Sequence, residues 1–318
     1  MKLLVTDATC NILEVDDAKL RLSSIMPFKY LLNDISLTNN PDLADGIFPI
    51  VNQYLGLHYQ YDKLKTFKLY KMYGHKFIFY TLDDLPYCIH DDSIGIKFSA
   101  MPLKSDFENK KNNIIMIPLI DDKILFNDEA KINQFKDYEK EYEFVFIGAI
   151  GTSGRKSVRT QRDFVLNFKE RDDSLIIDTT NYKSIFHIKH DWKIHRFQSQ
   201  YLENLAKGKF GFCHVGQGLN SYRIGECMRI GIVPIIVGHK CLPLETYINW
   251  NEFALIFEDG NDVTHENIKK QLGNRNSEDM GKLCIDVWEK YFRPTNLSKF
   301  LYKEYLENRE LDVECIRD

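Results

Sequence analysis

Short apolar runs alternate along this chain with longer, periodically polar stretches, the pattern of strands and covering helices in an α/β protein. Lys2–Thr6 is the first predicted strand and stops at Asp7. Gly46–Val51 and Lys76–Tyr80 follow as strand candidates, and Asn113–Leu119 reads as a buried strand ended by Pro118, Asp121 and Asp122. The polar stretch Asn127–Lys140 predicts a helix and marks a domain boundary. Glu143–Ile147 then opens a second α/β unit, followed by Gly148, Gly151 and Gly154 and a helix predicted from about Ser157 to Arg171.

The segment from Tyr201 to Ile256 carries the clearest pattern. Tyr201–Lys207 is a predicted helix ended by Gly208, and Phe210–Val215 is a strand. Gly216–Asn220 forms a loop, Ser221 is an N-cap for a helix over Tyr222–Ile230, and Gly231 closes it before the strand Val233–Val237. This is one strand–loop–helix–strand unit of a parallel sheet. Asn276–Asn308 is helical by period, with a break expected at Pro294.

Composition narrows the class. With 318 residues the chain has room for about two domains of roughly 150 residues each. Hydrophobic residues at 44% and charged residues at 28% are a globular balance. Lys and Arg number 42 against 46 Asp and Glu, so no basic excess exists to coat a nucleic acid. The longest apolar run, Gly231–Val237, is far shorter than the roughly 20 residues of a membrane span. Asp7 also comes too early for a secretory signal, so the expectation is a soluble, cytoplasmic protein. Seven scattered cysteines (Cys10, Cys88, Cys213, Cys227, Cys241, Cys284 and Cys315) have no Cys-x-x-Cys spacing and read as buried thiols. The 13% of aromatic residues fit either a core or stacking on a sugar or base.

The candidate chemistry clusters at strand ends. Gly216–Asn220 follows a strand and leads into a helix whose start offers unpaired N–H groups and partial positive charge, which suits a phosphate. Ser221 can add a hydrogen bond. Arg223 in the first turn opposes the helix dipole, which makes more sense beside a bound anion. Glu226 lies three residues on, on the same face, where a carboxylate can accept from two vicinal ribose hydroxyls; the alternative is a surface ion pair with Arg223. The glycines from Gly148 to Gly154 fit neither a G-x-G-x-x-G fingerprint nor a phosphate loop, but Arg155, Lys156, Arg159 and Arg162 follow them. Any of these cations could neutralise a diphosphate or simply face solvent. Asp7, Asp83, Asp84, His90, Asp91 and Asp92 are acid–base candidates that equally suit turns and caps. His187, His190 and His195 are only loosely spaced like metal ligands, and Trp250 is a core or cleft-wall residue.

Several of these pieces occur in the order of a known family. Phe210-Gly211-Phe212-Cys213, Gly216, Ser221-Tyr222-Arg223-x-x-Glu226, Gly231-Ile232-Val233-Pro234-Ile235-Ile236, Leu242-Pro243-Leu244 and Ile248-Asn249-Trp250-Asn251 together resemble the exostosin family of glycosyltransferases. Phe144–Gly148 and Asn113–Leu119 are similar to strands of the same family. The likeness is strong over about 140–290 and thin over 1–110. It implies a GT-B fold, two Rossmann-like domains facing a cleft, with inverting, metal-independent transfer from a nucleotide sugar held by the second domain. Carried over by position, Arg223 contacts the diphosphate and Glu226 the ribose. Gly216, Ser221 and Tyr222 line the phosphate loop. An Arg after Gly148 assists the leaving group, with Arg159 the best fit and Arg155 and Arg162 close behind. Many members carry an Arg before the glycine that corresponds to Gly216; here His214-Val215 stands there, and His214 is the expected substitute.

The resemblance therefore gives an acceptor domain over 1–140 and a nucleotide-sugar domain over 141–290; a helical segment over 291–318 follows, and a C-terminal helix of that length often packs back across a first domain. UDP-xylose, UDP-galactose or UDP-glucuronate is the favoured donor, a hydroxyl of an oligosaccharide or glycan is the acceptor, and no cofactor is required. Asp83 or Asp84, then His90, is the expected base. Eukaryotic members of the family usually carry an N-terminal membrane anchor; the expectation here is a compact soluble member, bacterial or viral. Homo-oligomerisation stays open. An inactive sugar- or nucleotide-binding protein on the same fold is the alternative, and a dehydrogenase is disfavoured because Asp7–Cys10 lacks the dinucleotide fingerprint.

Overall fold

The computed structural model describes residues 2–6, 11–22, 33, 35–49, 66–81, 94–97, 114–116, 129–150, 162–180, 200–215, 221–239, 242–245 and 247–303. The chain divides into two compact units, Met1–Ile117 with Lys290–Asp318, and Pro118–Glu289.

The first unit is built from short parallel strands. β1 (Lys2–Thr6) pairs with β2 (Ser36–Leu37) on one side and β3 (Gly46–Pro49) on the other. Leu3, Leu4, Val5, Ile47 and Phe48 are buried, the continuous apolar run expected of a strand covered on both faces. The helix α1 (Val15–Leu22) buries Ala18 and Leu22, and α2 (Lys68–Tyr73) follows β3. A second parallel set, β4 (Ile78–Thr81), β5 (Ile94–Lys97) and β6 (Ile114–Met116), is linked to β3 by a parallel bridge between Ile47 and Phe77.

The second unit opens with α3 (Glu129–Lys136), then β7 (Tyr142–Gly148), β8 (Ser174–Asp178) and the helix α4 (200–206). β9 (Gly208–His214), α5 (Tyr222–Arg229), β10 (Val233–Val237) and β11 (Leu255–Phe257) complete one parallel sheet of order β11-β10-β9-β7-β8. The chain first moves from β7 outward to β8, then returns to β7's other side at β9 and moves the opposite way. The order therefore reverses between β7 and β9, and their carboxyl ends flank the switch point at which open α/β sheets bind ligands.

The two compact units meet in sequence at Ile117 and Pro118, which puts α3 in the second unit. Ile132 and Phe135 are buried, and Glu129 meets Arg229 of α5 at 3.3 Å. The sheet's core is aromatic: Phe144 stacks on Phe212 at 5.8 Å between centroids, and Phe168 meets Phe212 at 4.8 Å. These three phenylalanines are packing residues of the core. Phe164, Val165 and Phe168 lie on a 3₁₀ segment, Asp163–Phe168, where the sequence pattern predicted an α-helix; the rest of that predicted helix up to residue 161 lies outside the described residues. Cys213, Cys227 and Cys284 are buried thiols.

Toward the C-terminus, α6 (His265–Leu272) precedes α7 (Ser277–Val287), which Asn276 caps by accepting from the Glu278 N–H. A π-helical turn over Trp288–Phe292 follows, and Pro294 occupies the first turn of α8 (Pro294–Leu301), where its missing N–H costs nothing. The expected break at Pro294 is thus a helix start.

One close backbone approach fixes the end of α5 against α7. Gly231 takes φ +71° to turn the chain from α5 into β10, and a β-carbon on Gly281 of α7 would collide with the Gly231 carbonyl oxygen. Backbone cannot give way as a side-chain tip can. Gly281→Ala is therefore expected to cost about 1–3 kcal/mol by forcing α7 off that turn. Chemical denaturation measures it, and an unchanged midpoint would contradict the close approach.

Candidate functional site

The site is assembled at the switch point from the ends of β7 and β9 and the first two turns of α5. Phe146 of β7 provides a floor: the Arg223 guanidinium carbon lies 4.6 Å from its ring centroid, and the His214 ring lies 5.3 Å away. Arg223 Nη2 donates to the Ile147 carbonyl at 2.6 Å. Gly148 leaves the room for this, because a β-carbon there would stand 2.8 Å from the same nitrogen. The loop after β7 is held by Asp178, which accepts from the Ile150 N–H at 3.1 Å, and by Arg162, whose Nη1 donates to the Ala149 carbonyl at 2.9 Å.

Tyr201 of α4 joins the two charged residues of α5. Arg223 Nε donates to the Tyr201 oxygen at 3.4 Å, and the Tyr201 hydroxyl donates to Glu226 Oε2. The surface Arg223–Glu226 ion pair considered from sequence is not formed. Glu226 is only 8% exposed, and the phenol stands between the two charges. Burial pushes the Glu226 carboxyl above the usual carboxylate range; Arg223 and the Tyr201 hydroxyl pull it back without cancelling the shift. Burial, then Glu226, holds the Tyr201 phenol well above its ordinary value, so it remains a proton donor. Burial opposes the Arg223 charge, but Tyr201 and Glu226 outweigh it.

Positive charge gathers on the other side. His214 is 4% exposed, and neither ring nitrogen has a hydrogen-bond partner among the described residues. Burial, then Arg223 and Arg162, holds its pKa well below the ordinary value, so the ring is a neutral imidazole with one donor and one acceptor nitrogen. Arg162 Nε is likewise buried without a partner among the described residues, and burial and Arg223 lower its pKa. Two arginines and an orphaned imidazole converge here, with Glu226 on the far side of Arg223. Such groups are satisfied by an anion rich in acceptors.

The structure thus brings together Gly148, His214, Arg223 and Glu226 from the sequence-predicted set, and from the candidate arginines it brings Arg162. Ser221 and Tyr222 lie at the start of α5; the Ser221 side chain makes no capping bond to the helix N–H groups. Arg155, Arg159, Gly216, Asp83, Asp84 and His90 lie outside the described residues, as do Asp7, Asp91, Asp92, His187, His190 and His195. Tyr201 was not singled out from sequence, since it lies 25 residues before its partner on a different helix. Trp250 is a core residue, 3% exposed, whose Nε1 donates to the Pro243 carbonyl at 3.0 Å. The open cavity of about 460 Å³ beside it, lined by Leu242, Glu245, Tyr247 and Asn249, includes none of the clustered groups.

Glu226 has a stability consequence. Its carboxyl titrates higher in the folded chain than in the unfolded one, so the folded chain holds the extra proton between the two values and stability falls as pH rises through that window. Glu226→Gln keeps an acceptor for Tyr201 and removes the buried charge. It is expected to melt higher than the wild type at pH 7, with the difference closing toward pH 4. Thermal melts across that range check it, and a lower melting point at pH 7 would contradict the burial argument.

Comparison with known proteins identifies the family of the chain. The Exostosin GT47 domain model matches residues 95–272, more than half of the chain. The Exostosin-1 homolog of Caenorhabditis elegans is 22% identical over 138 residues, 42% of this chain and 36% of that protein, so the match spans about a third of the relative's length. Among solved structures, a glycosyltransferase from Rickettsia africae aligns over 100% of this chain and 99% of its own, with 11% identity and a TM-score of 0.45. An α1,3-fucosyltransferase with GDP-fucose aligns over 88% and 81%, with 11% identity and a TM-score of 0.42. On the strength of the domain match, the chain belongs to the exostosin GT47 family.

Proposed function

We propose that the chain is a glycosyltransferase that moves a sugar from a UDP-sugar to a hydroxyl of a glycan acceptor, with inversion and without a metal. The observation that carries this is the convergence of Arg223, Arg162 and the orphaned His214 at the β7–β9 switch point, with Glu226 one helical turn away. Family membership supports it, and the two α/β units are taken as the halves of a GT-B fold.

In this mechanism the acceptor oxygen attacks the anomeric carbon as the bond from that carbon to the diphosphate oxygen breaks. The electron pair of that bond stays on the nucleoside diphosphate, and the acceptor proton passes to a base, for which Asp83, Asp84 and His90 remain the candidates. Charge grows on the diphosphate as the bond breaks. Arg223, Arg162, the N–H groups opening α5 and the neutral His214 N–H stabilise it, and being fixed in place they need no reorganisation at the moment of reaction. Gly216, Ser221 and Tyr222, with Arg155 or Arg159, complete the phosphate contacts in this proposal. Glu226 Oε1 accepts from the ribose. UDP-xylose, UDP-galactose and UDP-glucuronate are the favoured donors and a cytoplasmic location is part of the proposal; no described helix is long and apolar enough to cross a membrane.

Binding and hydrolysis against a panel of UDP- and GDP-sugars, with and without EDTA, test the function. A UDP-sugar is expected to bind and turn over in EDTA, and Arg223→Ala is expected to lower kcat by about 10²–10³-fold, the usual loss for a fixed donor to a developing negative charge. No binding of any nucleotide would overturn the enzyme reading, and activity lost to EDTA would overturn the metal-free mechanism. Binding with neither transfer nor hydrolysis would favour an inactive binding protein.

A further inference from the structure

We propose that Tyr201 is a positioning residue that decides which atoms of Arg223 and Glu226 meet the donor. This rests on the donor-site reading above and goes beyond it by assigning the atoms. The phenol oxygen occupies Arg223 Nε as acceptor and Glu226 Oε2 as donor, while the Ile147 carbonyl takes Arg223 Nη2. Among the described residues that leaves both N–H groups of Arg223 Nη1, the second N–H of Nη2 and Glu226 Oε1 without a hydrogen bond, while Nε is taken. Arg223 therefore meets the diphosphate end-on through its Nη groups and not side-on through Nε, which the phenol holds. Glu226 holds the ribose through one oxygen, which can accept from both vicinal hydroxyls, its second oxygen being tied to the protein.

Tyr201 also separates the two charges. With the phenol between them, Arg223 and Glu226 do not collapse into an ion pair, and each keeps an atom for the ligand. A direct pair would neutralise the cation that the diphosphate needs. The hydroxyl acts on titration as well. The groups facing Glu226 are Arg223 on its own helix, Tyr201 on α4 and the Cys213 thiol on β9. Of these, Tyr201 and Arg223 favour the carboxylate against burial. Loss of the hydroxyl leaves burial less opposed, so the carboxyl holds its proton to higher pH.

The test is the pH profile of UDP and GDP binding by calorimetry, for the wild type, Tyr201→Phe and Glu226→Gln. Tyr201→Phe keeps the ring and is expected to weaken UDP binding about tenfold at pH 7, the scale of one hydrogen bond to a charged group. It is also expected to move the acid limb of the profile to higher pH. The phosphate's own titration is common to all three proteins and cancels in the comparison. Glu226→Gln is expected to lose the limb that Tyr201→Phe shifts. A purely structural phenol would lower affinity without moving the limb, and that result overturns the proposal, as does a limb that survives in Glu226→Gln. Wild-type binding that Tyr201→Phe leaves unchanged overturns the role of Tyr201 alone. A wild type that binds neither UDP nor GDP overturns it together with the donor site. Should Tyr201→Phe not fold, 3-fluorotyrosine at position 201 keeps the ring and strengthens the phenol as a donor; the limb then moves to lower pH, and an unmoved limb overturns the proposal.

Discussion

A guanidinium and a carboxylate withdrawn from water in one corner of a sheet are tolerated only when hydrogen bonds replace their hydration. Arg223 and Glu226 meet that condition through a phenol and a strand-end carbonyl and not through each other. The rest of the second unit follows from holding that arrangement. β7 must end on a residue without a side chain, which Gly148 supplies. Phe146 must offer a ring face to the guanidinium. The helix α4 must lie where its Tyr201 reaches α5. The close passage of Gly281 over Gly231 and the ion pair from Arg229 to Glu129 hold α5 in place from behind.

The site and the fold share one cause. In a parallel sheet whose order reverses between β7 and β9, the connections leave the two strands in opposite directions and open a crevice at their carboxyl ends, where backbone and side chains can face a ligand. The neighbouring core is aromatic and tightly packed, with Phe144, Phe168 and Phe212 in mutual contact, and gives the strand ends a rigid base. Orphaned nitrogens on His214 and Arg162 are costly in such a setting. Carrying them makes physical sense in a site that an anion completes.

Much of this was legible in the sequence, and the reasons differ by element. Val233–Val237 and Lys2–Thr6 were readable because an uninterrupted apolar run in a parallel sheet has no alternation to blur it. Arg223 and Glu226 stood out because a cation in the first turn of a helix after a glycine loop is locally unfavourable. Their relation was not legible. Spacing suggested a pair, whereas the partner of both comes from α4, and only tertiary structure brings a residue 25 positions away between them. β8 and β11 went unmarked because they are short, and β8 is only partly buried. The segment Asp163–Phe168 has apolar residues at 164, 165 and 168, a spacing that fits an α-helix as well as the 3₁₀ turn the chain adopts.

In the proposed function the Arg223–Tyr201–Glu226 cluster, with His214, holds a nucleoside diphosphate. Nitrogen-15 NMR of the arginine and histidine side chains during a UDP titration in EDTA tests it most directly. The Arg223 Nη and His214 ring signals are expected to move and saturate together while the Arg171 signals, tied to Asp173 at 2.6 Å, stay fixed. Saturable UDP binding that leaves the Arg223 and His214 signals unmoved would contradict it.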